Sequence, residues 1–174
     1  LQPVFSFKLR GAYAKLQALS DADRARGVIC ASAGNHAQGL AYVCRHFGVN
    51  GVIYMPVTTP EQKIMKTRTF GGAHVEIRLT GDYVDDTLAE ARSWCESAGG
   101  HFLSPFDDED VIEGQASVAV EIEAQLGGLP DLVILPVGGG GLSAGMISYL
   151  DAIGAATKFT LVEPAGGPSL TAAL

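Results

Sequence analysis

Three short stretches of this chain carry groups suited to covalent chemistry and anion binding. Lys8 stands in Ser6-Phe7-Lys8-Leu9-Arg10-Gly11-Ala12, among aromatic and aliphatic neighbours. Such neighbours strip water from an ammonium group, disfavour its charged form and leave a nucleophilic amine. An amine of that kind condenses with an aldehyde cofactor to a Schiff base. Taken without its surroundings, the same lysine fits the surface of a helix, and both readings stand. The second stretch is Ser32-Ala33-Gly34-Asn35-His36-Ala37-Gln38-Gly39, a turn of polar and small residues between an apolar run and a helical pattern. Its N–H groups and side chains therefore face the carboxyl end of a strand, where open α/β sheets bind ligands. His36 suits acid–base work and equally an ordinary place at a helix start.

The third stretch is Gly138-Gly139-Gly140-Gly141-Leu142-Ser143-Ala144, which follows the apolar run Leu132–Val137 directly. Four glycines let the backbone turn tightly and bring its N–H groups close to a ligand. The helix that follows adds unpaired N–H groups and a positive dipole end, so the whole forms a cradle for an anion, phosphate above all. A flexible linker is also glycine-rich, but linkers seldom join a buried strand to a helix. A sharper alternative exists. Gly139-x-Gly141-x-x-Ala144 fits the dinucleotide fingerprint, and Glu163 ends the next strand about 20 residues on, where the ribose-binding acid belongs. The loop by itself does not choose between a nucleotide pyrophosphate and a cofactor phosphate.

The elements that must position these groups alternate along the chain. Buried strands are predicted at Val28–Ala31, Gly51–Met55, Ala73–Leu79, Leu132–Val137 and Phe159–Val162. Helical periodicity lies between them: Val84, Leu88, Ala91 and Cys95 share one face, as do Val111, Val118, Ile122 and Leu126 before Gly127-Gly128. Leu40, Val43 and Phe47 mark a third helix closed by Gly48, and Thr59-Pro60 opens a fourth. Strand–helix alternation predicts an α/β fold with mostly parallel sheet, because parallel strands need crossovers. Gly99–Asp110 is the candidate boundary. Its acidic run Asp107-Asp108-Glu109-Asp110 reads as a helix start, where carboxylates meet the positive end of the dipole.

Composition narrows the classes further. In 174 residues the apolar share is 47% and the charged share 18%, which fits a globular chain with a sizeable core. The net charge of −7 comes without any Lys/Arg cluster, so no nucleic-acid partner is expected. No apolar run reaches the ~18 residues of a membrane span, and the stretch before Lys8 lacks the basic, apolar and small-residue regions of a signal peptide. Cys30, Cys44 and Cys95 have neither C-x-x-C nor zinc spacing, so no metal centre is expected and reduced thiols in the cytoplasm are.

S-F-K-L-R-G-A, S-A-G-N-H-A-Q-G and G-G-G-G-L, in this order and at about these separations, resemble the motifs of the fold-type II pyridoxal-phosphate (PLP) enzymes, the tryptophan synthase beta-like family. Within it they look most like those of the threonine and serine dehydratases. Leu1-Gln2-Pro3, Pro60-Glu61-Gln62-Lys63, Phe70-Gly71-Gly72 and Val162-Glu163-Pro164 are similar to the biosynthetic threonine-dehydratase branch. The likeness covers essentially the whole chain.

The resemblance implies roles. Lys8 would be the Schiff-base lysine and the base that removes the Cα proton. Phe7 would pack by the cofactor ring, and Asn35 would bond its ring hydroxyl. Ser32, Gly34, Asn35 and His36 would grip the substrate carboxylate, and Gly138, Gly139, Gly140, Gly141 and Leu142 would hold the phosphate. The activity implied is deamination of L-threonine, and of L-serine, to the 2-oxo acid and ammonia, the first step of isoleucine biosynthesis. Ala33 stands where the family's serine racemases have a serine, which favours dehydration over racemisation. The expected fold is a two-lobed α/β domain, incomplete at both ends. Residues 1–26 and 106–174 would belong to the large lobe and 27–105 to the small one. A homo-oligomer is expected at full length. The alternatives carried forward are an NAD-binding oxidoreductase built on the glycine loop and a non-catalytic fragment.

Overall fold

The computed structural model describes residues 2–174; Leu1, the start of the Leu1-Gln2-Pro3 run, lies outside the described residues. The chain divides into two compact units, Leu1–Ser104 and Pro105–Leu174, and the division falls inside the Gly99–Asp110 stretch.

The first unit opens with α1 (Lys8–Ala18) and the short α2 (Asp21–Arg26), whose first turn is capped by the Ser20 hydroxyl accepting from Asp23 N–H. A regular alternation follows: β1 (Val28–Ala31), α3 (Asn35–Phe47), β2 (Gly51–Met55), α4 (Glu61–Gly71), β3 (Val75–Leu79), α5 (Val84–Ala98) and β4 (His101–Phe102). The four strands form a sheet in the order β3-β2-β1-β4, with every pair parallel. β1 is buried throughout, which is why Val28-Ile29-Cys30-Ala31 reads as an unbroken apolar run. Alternation splits its side chains between two faces. Ile29 and Ala31 join Tyr54, Ala91 and Cys95 beneath α5. Cys30 lies on the α3 side within electrostatic reach of Cys44, and burial pushes both thiols up, Cys44 to about 12.

The expected strand at Ala73–Leu79 begins two residues later, because Gly72–His74 form a single 3-10 turn. Pro60 sits at the N-cap of α4 and not at its first helical residue. α2 and the two-residue β4 were not expected from periodicity; both are too short to show any.

The second unit consists of α6 (Glu109–Leu126), β5 (Leu132–Pro136), α7 (Gly141–Ala152), β6 (Lys158–Val162) and α8 (Ser169–Ala173). β5 and β6 pair in parallel from Leu132↔Lys158 to Pro136↔Val162. The two long helices pack on the sheet through Ala119, Leu135, Met146 and Leu150, with Val133, Phe159 and Leu161 around them. The acidic run does start a helix: Asp108 caps α6 by accepting from Val111 N–H, with Glu109 and Asp110 in the first turn. Among the described residues no helix is long and apolar enough to cross a membrane, and no three His, Cys, Asp or Glu side chains group as metal ligands would.

Candidate active site

Lys8 is the first residue of α1, and its N–H donates to the Ser6 hydroxyl at 3.2 Å. Its ammonium lies 5.3 Å from the centre of the Phe7 ring, and partial burial lowers its pKa from the ordinary lysine value. The burial favours the nucleophilic-amine reading of this lysine over the solvated one, whereas the ring face attracts the charged form. What places it is Gly39. A Cβ there would stand 3.1 Å from Leu9 N and 3.2 Å from the Lys8 carbonyl carbon, so α3 approaches the backbone of α1 closely enough that any side chain would press the two apart by a few tenths of an ångström. Gly39 belongs to the same stretch as Asn35, and through it the lysine and the start of α3 are held together.

At that start the backbone groups are open. Gly34 is the N-cap of α3 and offers no side-chain cap; the first N–H bonded inside the helix is that of Gln38, to the Gly34 carbonyl. Ser32 accepts from Gly34 N–H at 3.2 Å, and Asn35 is exposed. An uncapped N-terminus of a 13-residue helix beside an exposed amide suits a carboxylate. His36 is placed differently. It is 3% exposed, and its Nε2 lies 3.0 Å from the Leu103 carbonyl oxygen beyond β4. Burial first, and the charge of Lys8 last, push its pKa down to about 4, although the Leu103 bond opposes this. Its imidazole is neutral near pH 7 and faces the protein interior.

The second unit carries the glycine loop between β5 and α7. The N-cap of α7 is Gly140, at φ +83°, again without a side-chain cap. Within the helix the first bonded N–H is that of Ala144, to the Gly140 carbonyl, while Ser143 donates its hydroxyl to the same oxygen at 2.8 Å. The N–H groups of Gly141, Leu142 and Ser143 therefore begin the helix without intrahelical partners. The glycines differ in what they permit. A Cβ on Gly139 would clash with the ring of Phe106, and one on Gly141 would lie 3.0 Å from the Phe106 Cα. Gly138 meets nothing within 4 Å and is exposed. Open N–H groups, a left-handed cap and an unobstructed glycine fit a phosphate well.

Phe106 was not foreseen as the support of this loop, although its place between Pro105 and the acidic run is a visible oddity. Leu103 offered no signal, since it acts through its carbonyl. Glu163, the acid required by the dinucleotide reading, is committed elsewhere. Its carboxylate accepts from Leu170 N–H at 2.7 Å, from Thr171 N–H at 3.1 Å and from the Thr171 hydroxyl, so it caps α8. The hydroxyl bond, with the two amides behind it, holds this carboxyl below the usual range.

Residues 1–174 match the family described as pyridoxal-phosphate dependent enzyme, and the chain belongs to that family. Its relatives point to one branch. The chain is 48% identical over 169 residues to the L-threonine dehydratase biosynthetic IlvA of Bacillus subtilis, covering 97% of this chain and 40% of that protein. Against the protein of the same name from Mycobacterium leprae it is 49% identical, with 100% and 41% covered. The solved structure of the processed form of threonine deaminase isoform 2 from Solanum lycopersicum matches with a TM-score of 0.90 at 43% identity, over 98% of this chain and 49% of that one. Maize serine racemase matches with a TM-score of 0.87 at 28% identity, over 94% and 49%. The parallel α/β architecture is thus that of the fold-type II PLP enzymes. The chain spans about two fifths of the length of the curated relatives it matches.

Proposed function

We propose that the protein to which this chain belongs is a cytoplasmic, homo-oligomeric PLP-dependent ammonia-lyase, which deaminates L-threonine, and L-serine less well, to the 2-oxo acid and ammonia at the entry to isoleucine biosynthesis. The observation that carries the reading is the run of biosynthetic L-threonine dehydratases at 41–49% identity over nearly the whole chain. The partly buried amine of Lys8 supports it.

In this reading Lys8 would hold the cofactor and would take the proton from Cα of the amino acid. Phe7 packs by the cofactor ring and Asn35 bonds its ring hydroxyl. Ser32, Gly34, Asn35 and the backbone of His36 hold the substrate carboxylate at the open start of α3. Gly138, Gly139, Gly140, Gly141 and Leu142 take the phosphate. When bound, PLP supplies the electron sink that makes the Cα proton removable. Ala33 has no proton to give to the second face of Cα, so elimination outruns racemisation. In the complete domain, residues 1–26 join 106–174 in the large lobe and 27–105 form the small lobe.

Borohydride reduction of the PLP-treated protein, followed by peptide mass spectrometry, tests the centre of this proposal. The reduced cofactor is expected on Lys8, and Lys8→Ala should lose both the adduct and any 2-oxobutanoate formation by several orders of magnitude. An adduct on Lys15 or Lys63 instead would refute the assignment. An adduct on Lys8 without turnover of threonine would leave a cofactor-binding but non-catalytic piece.

A further inference from the structure

His36 is a buried titratable group that the proposed chemistry does not use, and it lies next to a residue that the chemistry needs. Asn35 and His36 are the first two residues of α3, yet Asn35 is exposed while His36 is 3% exposed. Consecutive helical side chains project about 100° apart, so fixing one direction fixes the other. Little at the cap itself does so, because Gly34 provides no side-chain bond. The His36 ring does. A carbonyl oxygen only accepts, so the 3.0 Å bond to Leu103 requires the proton on Nε2. This bond ties the first turn of α3 to the chain beyond β4, 67 residues away in sequence. The second ring nitrogen, Nδ1, is buried without a hydrogen-bond partner. Only the neutral Nε2–H form fits: a proton on Nδ1 would be a donor with nothing to receive it.

We propose that His36 is a positioning residue, a neutral latch whose Nε2–H bond to the Leu103 carbonyl sets the rotation of the first turn of α3. It thereby aims the Asn35 amide and the open N–H groups at their anionic ligand. It takes no part in proton transfer to the substrate. The inference rests on the assignment of the Ser32–His36 stretch to the substrate carboxylate and the cofactor ring. It gives the imidazole a role distinct from that of the His36 backbone.

Two variants and one spectrum test it. His36→Gln keeps an N–H donor near the Nε2 position and has no basic nitrogen, whereas His36→Leu keeps the bulk and removes the donor. In the PLP-loaded protein, His36→Gln should stay within about threefold of the parent in PLP affinity and in KM for L-threonine. His36→Leu should weaken both about tenfold, the scale of one lost hydrogen bond and a stranded carbonyl. A glutamine variant as impaired as the leucine variant, or a leucine variant that is folded and unimpaired, would overturn the latch. Should His36→Leu fail to fold, the glutamine comparison still decides. In the cofactor-free protein, nitrogen-15 NMR should show a single Nε2–H tautomer for His36 from pH 8 to pH 6; an Nδ1–H tautomer would equally overturn it. This last measurement does not involve PLP. A parent protein whose Lys8 captures no cofactor would therefore sink the enzymatic reading while leaving the Leu103 bond to be judged on its own spectrum.

Discussion

Gly145→Ala is a substitution for which helix propensity and packing give opposite predictions. Gly145 lies one turn inside α7, where α6 crosses it. In a helix interior alanine is favoured over glycine by about 0.8–1 kcal/mol, so propensity alone predicts a more stable protein. The crossing reverses the sign. A Cβ on Gly145 would lie 2.9 Å from Ala116 N and closer still to the Ile112 carbonyl oxygen. Both are backbone atoms of a helix, so no rotamer change relieves them, and α6 and α7 must separate by several tenths of an ångström. Overpacking of this kind costs about 1–3 kcal/mol, with rigid backbone at the upper end. The net expectation is a loss of about 1–2 kcal/mol, or roughly 2–8 °C in melting temperature. Circular dichroism melts of parent and variant measure it. PLP titration should show weaker binding as well, because α7 begins at Gly141 and carries the glycine loop with it. A variant as stable as the parent, or more stable, would mean that the two helices do not cross at this distance.

Other perturbations separate the remaining devices. Gly140→Ala should cost about 1–2 kcal/mol, because an L residue is placed at φ +83°; Gly140→Asp should lower PLP affinity further by setting a carboxylate against the phosphate, and unchanged titrations would move the phosphate elsewhere. Glu163→Gln should lower hydrogen-exchange protection at the Leu170 and Thr171 amides while leaving any cofactor binding intact; loss of NAD binding in this variant would revive the dinucleotide reading. His36 is depressed to about 4 in the folded chain from an ordinary 6.5, so the unfolded chain takes the proton first. Its contribution to stability is complete above pH 6.5 and is lost as the pH falls towards 4, by at most about 3 kcal/mol, and urea midpoints for parent and His36→Leu should converge over that window.

Sequence legibility followed burial and length. Strands hidden on both faces were readable almost to the residue, because Val28–Ala31 and Gly51–Met55 are unbroken apolar runs bounded by glycine or polar turns. β4 was not, since two residues carry no period, and neither was α2, which buries no residue at all. In the site, the composition of the Lys8, Asn35 and glycine-loop stretches pointed to the anion and amine chemistry proposed for them. The contacts that hold them in place did not show. Gly39 matters because of a backbone 31 positions earlier, and Leu103 because of its carbonyl; neither fact resides in a side-chain type.

The glycine loop shows the same limit, and also how structure passes it. Four consecutive glycines read as one device for binding phosphate, but the protein's own packing accounts for three of them. Gly139 and Gly141 make room for Phe106, and Gly140 supplies the left-handed cap of α7. Gly138 is left over: it has no neighbour within 4 Å, no positive φ, and a carbonyl that accepts from the Ser169 hydroxyl at 2.8 Å. Folding does not demand a glycine there, whereas a ligand approaching the backbone does. Gly138→Ala therefore isolates the functional share of the loop. It should leave the melting temperature unchanged and still weaken PLP binding, the reverse of the pattern expected from a residue kept for packing. Stability lost in step with affinity would return Gly138 to the packing role of its neighbours. An alanine with no effect on either would remove it from the phosphate site.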